Sequence, residues 1–468
     1  MSVEVLIRVF SDHVYPALLV LFFFGFTIFI HELGHFLAAK RRGMKIERFS
    51  IGFGPKIFGW TKNGIEYRVS WIPFGGYVAL PQMSPMEAIE GKGEGAAADL
   101  PPATPVSKII VAFAGPVMNI LLAILFSCAV WWVGLPTPIN PSVVGWVEPG
   151  SNEETLDIRR ADRILQINGA PVKTWMDVHR AVALSLDPSV HVVFERDGKQ
   201  FSHDLETKIS PVLGVKTINI YPEGRPLAAS LEPNSAAAAA GVRAGDRFLA
   251  VEDVPVSSVK ELMDLIDKQT GKPTTLKVLR DGQMVSLVAV PVFDPVKKRG
   301  RIGVVLDENV DYELVRPGPT PVKQFTDVLR MITDTFYALS HAKETGVGPG
   351  SLSGPVGIMG GWWLEIKNGG IMRGMWFAVL LNINLALLNL LPLPILDGGH
   401  ILFALIEGVR RRPLNTRFVQ ALSTGFAILL ISFMLYVTVF DFKRFFGFRF
   451  QSSEKPSPTN DVAPSTQP

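Results

Sequence analysis

The chain has 468 residues, 48% of them hydrophobic and 19% charged, with a formal net charge of +3; its length suggests about three domains. So apolar a composition excludes an intrinsically disordered chain, and the small net charge offers no global basic field for nucleic acid. A single cysteine, Cys128, excludes an internal disulfide and cysteine-rich zinc modules.

Charge is absent from four blocks, 13–30, 109–147, 374–396 and 418–440. Each holds an apolar stretch near or above the roughly 18–20 residues that cross a bilayer as a helix, so four transmembrane helices are predicted. In the second block the apolar part starts at Ile109, and Pro136, Pro138 and Pro141 end the helix. No small-residue cleavage site follows the first block, which is expected to be retained rather than removed as a leader. Between the first two helices, residues 40–80 carry eight Lys and Arg against Glu47 and Glu66. Arg410, Arg411, Arg412 and Arg417 lie between the last two. Excess Lys and Arg in short loops marks the cytoplasmic side. Both termini and the long central segment are therefore expected outside.

The first apolar block runs directly into His31-Glu32-Leu33-Gly34-His35. Histidines four apart share one helix face, so both can reach one metal ion. With Glu32 beside them this is the H-E-x-x-H zinc pattern: two ligands and a carboxylate that takes a proton from a metal-bound water. Ionisable groups inside a membrane span are costly and mark function. A catalytic zinc needs a third protein ligand. Asp397 follows 23 uncharged residues in Leu396-Asp397-Gly398-Gly399-His400. The first and third helices both run from outside to inside, so Asp397 reaches the depth of His31 and His35. His400 is the alternative third ligand.

The central segment repeats itself. Val147-Glu148-Pro149-Gly150-Ser151 matches Leu231-Glu232-Pro233-Asn234-Ser235, Asp162-Arg163 matches Asp246-Arg247, and Arg196-Asp197-Gly198 matches Arg280-Asp281-Gly282, always 84 residues apart. A constant offset over three anchors argues for tandem duplication. Alternating strands such as His191–Phe194 and Thr275–Leu279 flank predicted helices near 175–185 and 258–268. The run from Ser235 to Arg247, with Gly241 and Gly245, resembles bacterial PDZ domains, whose groove accepts an extended peptide by strand addition. Asp157 and Ala161 stand at the first copy's glycine positions, and Glu252-Asp253 replaces the turn pair Asn168-Gly169. The grooves either grip peptide C-termini or serve as spacers and steric filters.

The combination of H-E-L-G-H in the first helix, Asn389-x-x-Pro392-x-Pro394-x-Leu396-Asp397-Gly398-Gly399-His400 in the third and PDZ-like repeats between the second and third resembles the site-2 protease family of intramembrane zinc metalloproteases, in its bacterial sigma-E-regulating type. The resemblance spans about residues 15–442. It implies one catalytic Zn2+ held by His31, His35 and Asp397, with Glu32 as acid/base. Ala114-Gly115-Pro116-Val117-Met118-Asn119 is similar to the family's stretch in the second helix. Asn384 and Asn389 match asparagines that hold unwound substrate, and Gly52-Phe53-Gly54 resembles its motif on a membrane re-entrant β-hairpin. Substrate contacts are thereby assigned to Asn119, Asn384, Asn389, Gly52, Phe53 and Gly54. The implied substrates are single-span membrane proteins, namely anti-sigma factors already trimmed by another protease and remnant signal peptides. The other function class open to this chain is a non-catalytic PDZ-bearing membrane adaptor.

The expected fold is a polytopic α-helical membrane protein with four transmembrane helices, a membrane re-entrant β-hairpin and two tandem extracytoplasmic PDZ-like α+β domains, set in the bacterial inner membrane. The expected boundaries are 1–40 for the first helix, 41–106 for the cytoplasmic loop with the hairpin and 107–137 for the second helix. The repeats take 138–222 and 223–312, and an amphipathic connector takes 313–372. The third helix with its Asp ligand takes 373–412, the fourth helix 413–442 and a disordered tail 443–468. Residues 84–106 are Gly/Ala/Pro-rich and predicted to be a flexible loop. Val322, Phe325, Leu329, Ile332, Phe336 and Leu339 fall at helical spacing within 320–342. That helix either lies on the outer membrane surface or packs against the second repeat.

Overall fold

The computed structural model describes residues 10–83, 100–101, 103–210, 214–295, 298–309 and 312–446. Of the expected disordered tail 443–468, residues 443–446 continue the last helix and the rest lies outside the described residues, as does most of the predicted flexible loop 84–106. Four helices are long and apolar enough to span a membrane: α1 (Tyr15–Arg41), α2 (Pro105–Val133), α6 (Pro355–Asn389) and α8 (Thr416–Phe446). Between α2 and α6 stand α3 (Trp175–Ala183), α4 (Val259–Lys268) and α5 (Pro321–Ser340), and between α6 and α8 stands α7 (Asp397–Arg410).

The bundle core joins α1, α2 and α6 through Val20, Phe23, Leu122, Phe126, Val379 and Ile383, all buried. Without water to drive association, membrane helices pack by close backbone approach at small residues. Gly34 does this, since a Cβ there would overlap the Ala114 carbonyl of α2. The last helix stands apart: 17% of the apolar window of α8 is buried, against 39%, 44% and 33% for the others.

The third span differs from the single segment expected over 373–412. It bends at Gly370 (φ 69°, ψ −164°), where Trp362 Nε1 donates to Gly374 O at 2.9 Å and its ring stacks on Phe377. It stops at Asn389, and a new helix, α7, starts at Asp397. Pro392 and Pro394 carry no N–H to continue the ladder.

The loop after α1 forms β1 (Arg48–Lys62) and β2 (Ile65–Ala79), joined at Asn63-Gly64 as the turn signal predicts. It is more than a hairpin. Residues 56–62 of β1 pair with 65–70 of β2, but 48–51 lie between two stretches of β2, matching Arg48↔Glu66 to Ile51↔Val69 on one side and Arg48↔Ala79 to Ile51↔Gly76 on the other. The chain reverses at Gly52 and Gly54, whose φ values of 86° and 85° favour glycine. The result is a small four-segment sheet with residues 76–79 at one edge.

The central segment holds two copies of one unit, 84 residues apart at nearly every element. Strand Arg163–Ile167 corresponds to Arg247–Val251, α3 to α4, and Lys199–Glu206 to Gln283–Ala289. The capping residues repeat as Thr174 and Ser258. A two-pronged ion pair repeats as Asp162–Arg196 and Asp246–Arg280. The substitutions between copies leave the backbone unchanged: Asp157 (φ 61°) and Ala161 (φ 74°) keep the left-handed conformation of Gly241 (φ 84°) and Gly245 (φ 94°). Each unit has its own core, around Phe194 and around Phe248. Strands Leu135–Pro138 and Tyr312–Val315 pair, so the chain enters and leaves the repeats side by side.

The predicted helix at 320–342 is α5. Its apolar stripe buries Val328 among the α1, α2 and α6 side chains, and Gln324 Nε2 donates to Ser127 O of α2 at 3.0 Å. Its polar face reaches the first repeat through Asp334–Arg180. It packs on the transmembrane core and the first repeat, rather than against the second.

Candidate metal centre

One turn of α1 separates His31 from His35, and their ring centroids lie 4.8 Å apart. Asp397 opens α7 directly opposite. Its Oδ2 lies 3.4 Å from His31 Nε2, its Oδ1 lies 3.4 Å from His35 Nε2, and the two Nε2 atoms are 3.2 Å apart. All three side chains are buried. Among the described residues this is the one group of three or more His, Cys, Asp or Glu side chains disposed to share a cation. His400, the alternative third ligand, is outside it.

The surroundings fit a metal ion. His35 Nδ1–H donates to Val111 O at 2.8 Å, which leaves Nε2 as a bare lone pair. His31 Nδ1 lies 3.2 Å from the Asn119 amide, and Asn119 Oδ1 is buried without a partner. Turning that amide brings Oδ1 onto His31 Nδ1–H and satisfies both groups. This is the outer-shell hydrogen bond that orients a ligating histidine. Asp397 Oδ2 is likewise buried without a hydrogen-bond partner. Two imidazole nitrogens and a carboxylate can then converge on one point, the donor set that a divalent cation takes. Zinc–ligand bonds of about 2.0–2.1 Å at tetrahedral angles place ligand atoms about 3.4 Å apart, close to the separations observed.

Glycines make room for this geometry. A Cβ on Gly115 of α2 would overlap the His35 ring and come within 2.8 Å of His31 Cε1. A Cβ on Gly76, on the edge stretch of β2, would sit 2.8 Å from Cγ of the buried Glu32. Glu32 thus lies between the histidine pair and the sheet edge.

The other expected site residues divide. Asn389 Nδ2 is 3.4 Å from His31 Nε2, so it belongs to the cluster. Asn119 is buried against the Nδ1 edge of the His31 ring. Asn384 donates to Leu380 O of its own helix at 3.0 Å. Gly52 and Gly54 form the chain reversal in β1, and Phe53 stacks on the buried Tyr77, with centroids 6.1 Å apart. Asn382 was missed: its Nδ2 donates to Thr27 Oγ1 at 3.1 Å and ties α6 to α1. Its signal was an amide within an uncharged block, shared with Asn384 and Asn389.

Residues 19–433 match peptidase family M50. The chain is 30% identical over 449 residues to the regulator of sigma-E protease RseP of Salmonella typhimurium, covering 90% of this chain and 96% of that one. Identity to the regulator of sigma-E protease RseP of Escherichia coli is 30% over 451 residues, with the same coverage of 90% and 96%. A Pasteurella multocida protein carrying a zinc-metalloprotease name is 30% identical over 458 residues, covering 89% of this chain and 96% of its own. With the family match spanning most of the sequence and the His31, His35 and Asp397 cluster inside the helix bundle, the chain belongs to peptidase family M50 and is a site-2-type intramembrane zinc metalloprotease.

Proposed function

We propose that His31, His35 and Asp397 hold the catalytic zinc and that Glu32 is the acid/base of peptide hydrolysis in the membrane. The observation that carries this is the convergence of three lone-pair donors from α1 and α7 beside a buried carboxylate. Zinc, when bound, lowers the pKa of a water toward about 7 and polarises the peptide carbonyl. Glu32 takes the water's proton, the water oxygen bonds to the carbonyl carbon, the C–N bond breaks, and Glu32 returns the proton to the departing nitrogen. The buried helices around the site exclude bulk water, so the proton passes through one defined group.

The substrates are single-span membrane proteins, of the kind of pre-cleaved anti-sigma factors and remnant signal peptides. Relatives named as regulators of sigma-E protease support this class. A helical substrate must be unwound before its carbonyl is accessible. The re-entrant sheet, with residues 76–79 at its edge beside Glu32, takes the extended segment as an added strand. Asn389, beside His31, bonds the extended backbone. Ile57, Phe58, Trp60, Trp71 and Ile72 are exposed on this sheet, which supports its insertion into lipid.

The two repeats are PDZ-like domains on the outer face of the bacterial inner membrane, and they exclude substrates whose outer domain is still bulky. The grooves differ. In the second repeat a cleft of about 260 Å³ opens between α4 and strand Val304–Asn309, lined by Met263, Ile266 and Gly300. At the position of Gly300 the first repeat has Lys216, buried, with Nζ donating to Ser185 O at 2.9 Å and Asp187 O at 2.7 Å. The open cleft of the second repeat supports binding of a peptide C-terminus there.

The test is co-expression with a tagged single-span reporter lacking a bulky outer domain, comparing wild type with Glu32→Gln. Glu32→Gln keeps all three metal ligands and loses the base, so cleavage is expected to fall by about 10²–10⁴-fold while zinc content is unchanged. Equal cleavage by both proteins overturns the role of Glu32.

A further inference from the structure

The last helix, α8, meets the rest of the molecule at its two ends. Its buried residues, among those described, are Val419 and Ser423 near one end and Val437 and Asp441 near the other. The two polar ones are 18 residues apart, about 27 Å along a helix. An apolar contact alone tolerates sliding and rotation, whereas a buried hydrogen bond sets register. Each end of α8 has one such anchor.

Ser423 Oγ donates to Pro394 O at 3.1 Å, a buried contact. Pro394 lies in the loop that separates α6 from α7, three residues before Asp397. The loop is poor in internal support, because Pro392 and Pro394 have no N–H to give. It keeps two short-range bonds, Leu393 N to Leu391 O at 2.7 Å and Leu396 N to Leu393 O at 2.9 Å. Among the described residues, Ser423 supplies the one side-chain hydrogen bond that reaches this loop from another element. At the far end the Asp441 carboxylate accepts from Gly354 N at 3.1 Å and Gly357 N at 2.8 Å, the first turn of α6. That helix end has no side-chain cap of its own. A Cβ on Gly354 or Gly357 would come within 2.7 Å or 2.5 Å of the carboxylate, so glycine is what admits it.

The segment between these two points contains α6 and leads into Asp397. We propose that α8 is a two-point clamp on the metal-ligand loop. Ser423 is a positioning residue that holds Pro394, and through it Asp397, in register with the histidines, and Asp441 fixes the height of the helix. His31 and His35 ride on α1, which packs on α2 and α6, so the clamp acts on the third ligand selectively.

This rests on the zinc reading of His31, His35 and Asp397, and the experiment separates the two. Full-length protein is purified in lipid nanodiscs with zinc, and the rate of zinc transfer to a chromogenic chelator is measured beside the unfolding temperature of the metal-free form. Ser423→Ala is expected to release zinc about fivefold faster, the effect of one buried hydrogen bond. Ser423→Thr, which keeps the hydroxyl, is expected to restore the wild-type rate. Val437→Ala opens a cavity on the same helix, and it is expected to lower the unfolding temperature without changing zinc release. Asp397→Ala is expected to retain no zinc; if it binds as wild type does, the ligand reading fails. If Asp397→Ala loses zinc but Ser423→Ala releases it at the wild-type rate, or Ser423→Thr fails to restore that rate, the clamp is overturned and the site stands.

Discussion

At the scale of single residues, the site depends on atoms that are not ligands. Gly115 has no side chain because two imidazoles occupy the space a Cβ would need. Gly115→Ala therefore forces His35 out of position, and proteolysis is expected to fall at least tenfold with loss of bound zinc, read by metal analysis of the purified protein. Asn119 acts at one remove, through the Nδ1 edge of His31. Outer-shell partners of ligating histidines are worth about 10–100-fold in metal affinity or activity. Asn119→Ala is expected to lose that much in zinc affinity, measured by chelator competition; unchanged affinity would leave Asn119 with a substrate role instead. The H-E-x-x-H residues were readable because helix periodicity is a local property. The contacts of Gly115, Val111 and Gly76 with them were not, because they depend on which helix and which strand come to lie against α1.

At the scale of elements, the repeats offer an internal control. Asp246 is 1% exposed, and its two carboxylate oxygens take both prongs of Arg280 and the Arg243 N–H. Burial alone would raise its pKa, but these donors outweigh burial and hold it below the usual 3.8. A carboxylate depressed in the folded state adds stability above its unfolded pKa and loses it as pH falls through the folded value. Asp246→Asn is therefore expected to cost about 1.5–3 kcal/mol at pH 7, seen as easier proteolysis of the second repeat. The gap between wild type and variant is expected to close as pH is lowered below 3.8. A gap that persists in acid would mean that the ion pair is not the source. The 84-residue offset marks Asp162, Arg196, Asp246 and Arg280 as equivalent anchors, but that they pair across each unit is a contact only the fold supplies. The four-segment sheet was less legible: a turn at Asn63-Gly64 predicts a hairpin, but residues 48–51 inserting between two parts of β2 is a long-range pairing.

At the scale of the whole molecule, loop charge gives the expected orientation. Reporter fusions test it: alkaline phosphatase inserted within 223–312 is expected to be active outside the membrane, and the same enzyme fused after Pro413 is expected to be inactive. The reverse pattern would overturn the assignment of sides. The same arrangement explains why Asp397 could be expected near the histidines. Two spans running in the same direction bring their C-terminal ends to one depth, and α1 and α6 do so with 362 positions between His35 and Asp397.

The sequence by itself determined the spans, the duplicated unit and the paired histidines of the H-E-x-x-H helix. Each of these is a one-dimensional signal: missing charge, constant offset, or ligand spacing along one helix. Tertiary structure alone decided that Pro392 and Pro394 split the third span so that Asp397 starts a helix of its own. It also decided that α5 packs on the bundle, that Lys216 is buried against the Ser185 and Asp187 carbonyls, and that Ser423 bonds Pro394 O. These outcomes turn on which surfaces meet, and burial of apolar area, which drives such meetings in the repeats, is non-directional. In the bundle the deciding forces are close packing and buried hydrogen bonds between helices, which no spacing along a single helix records.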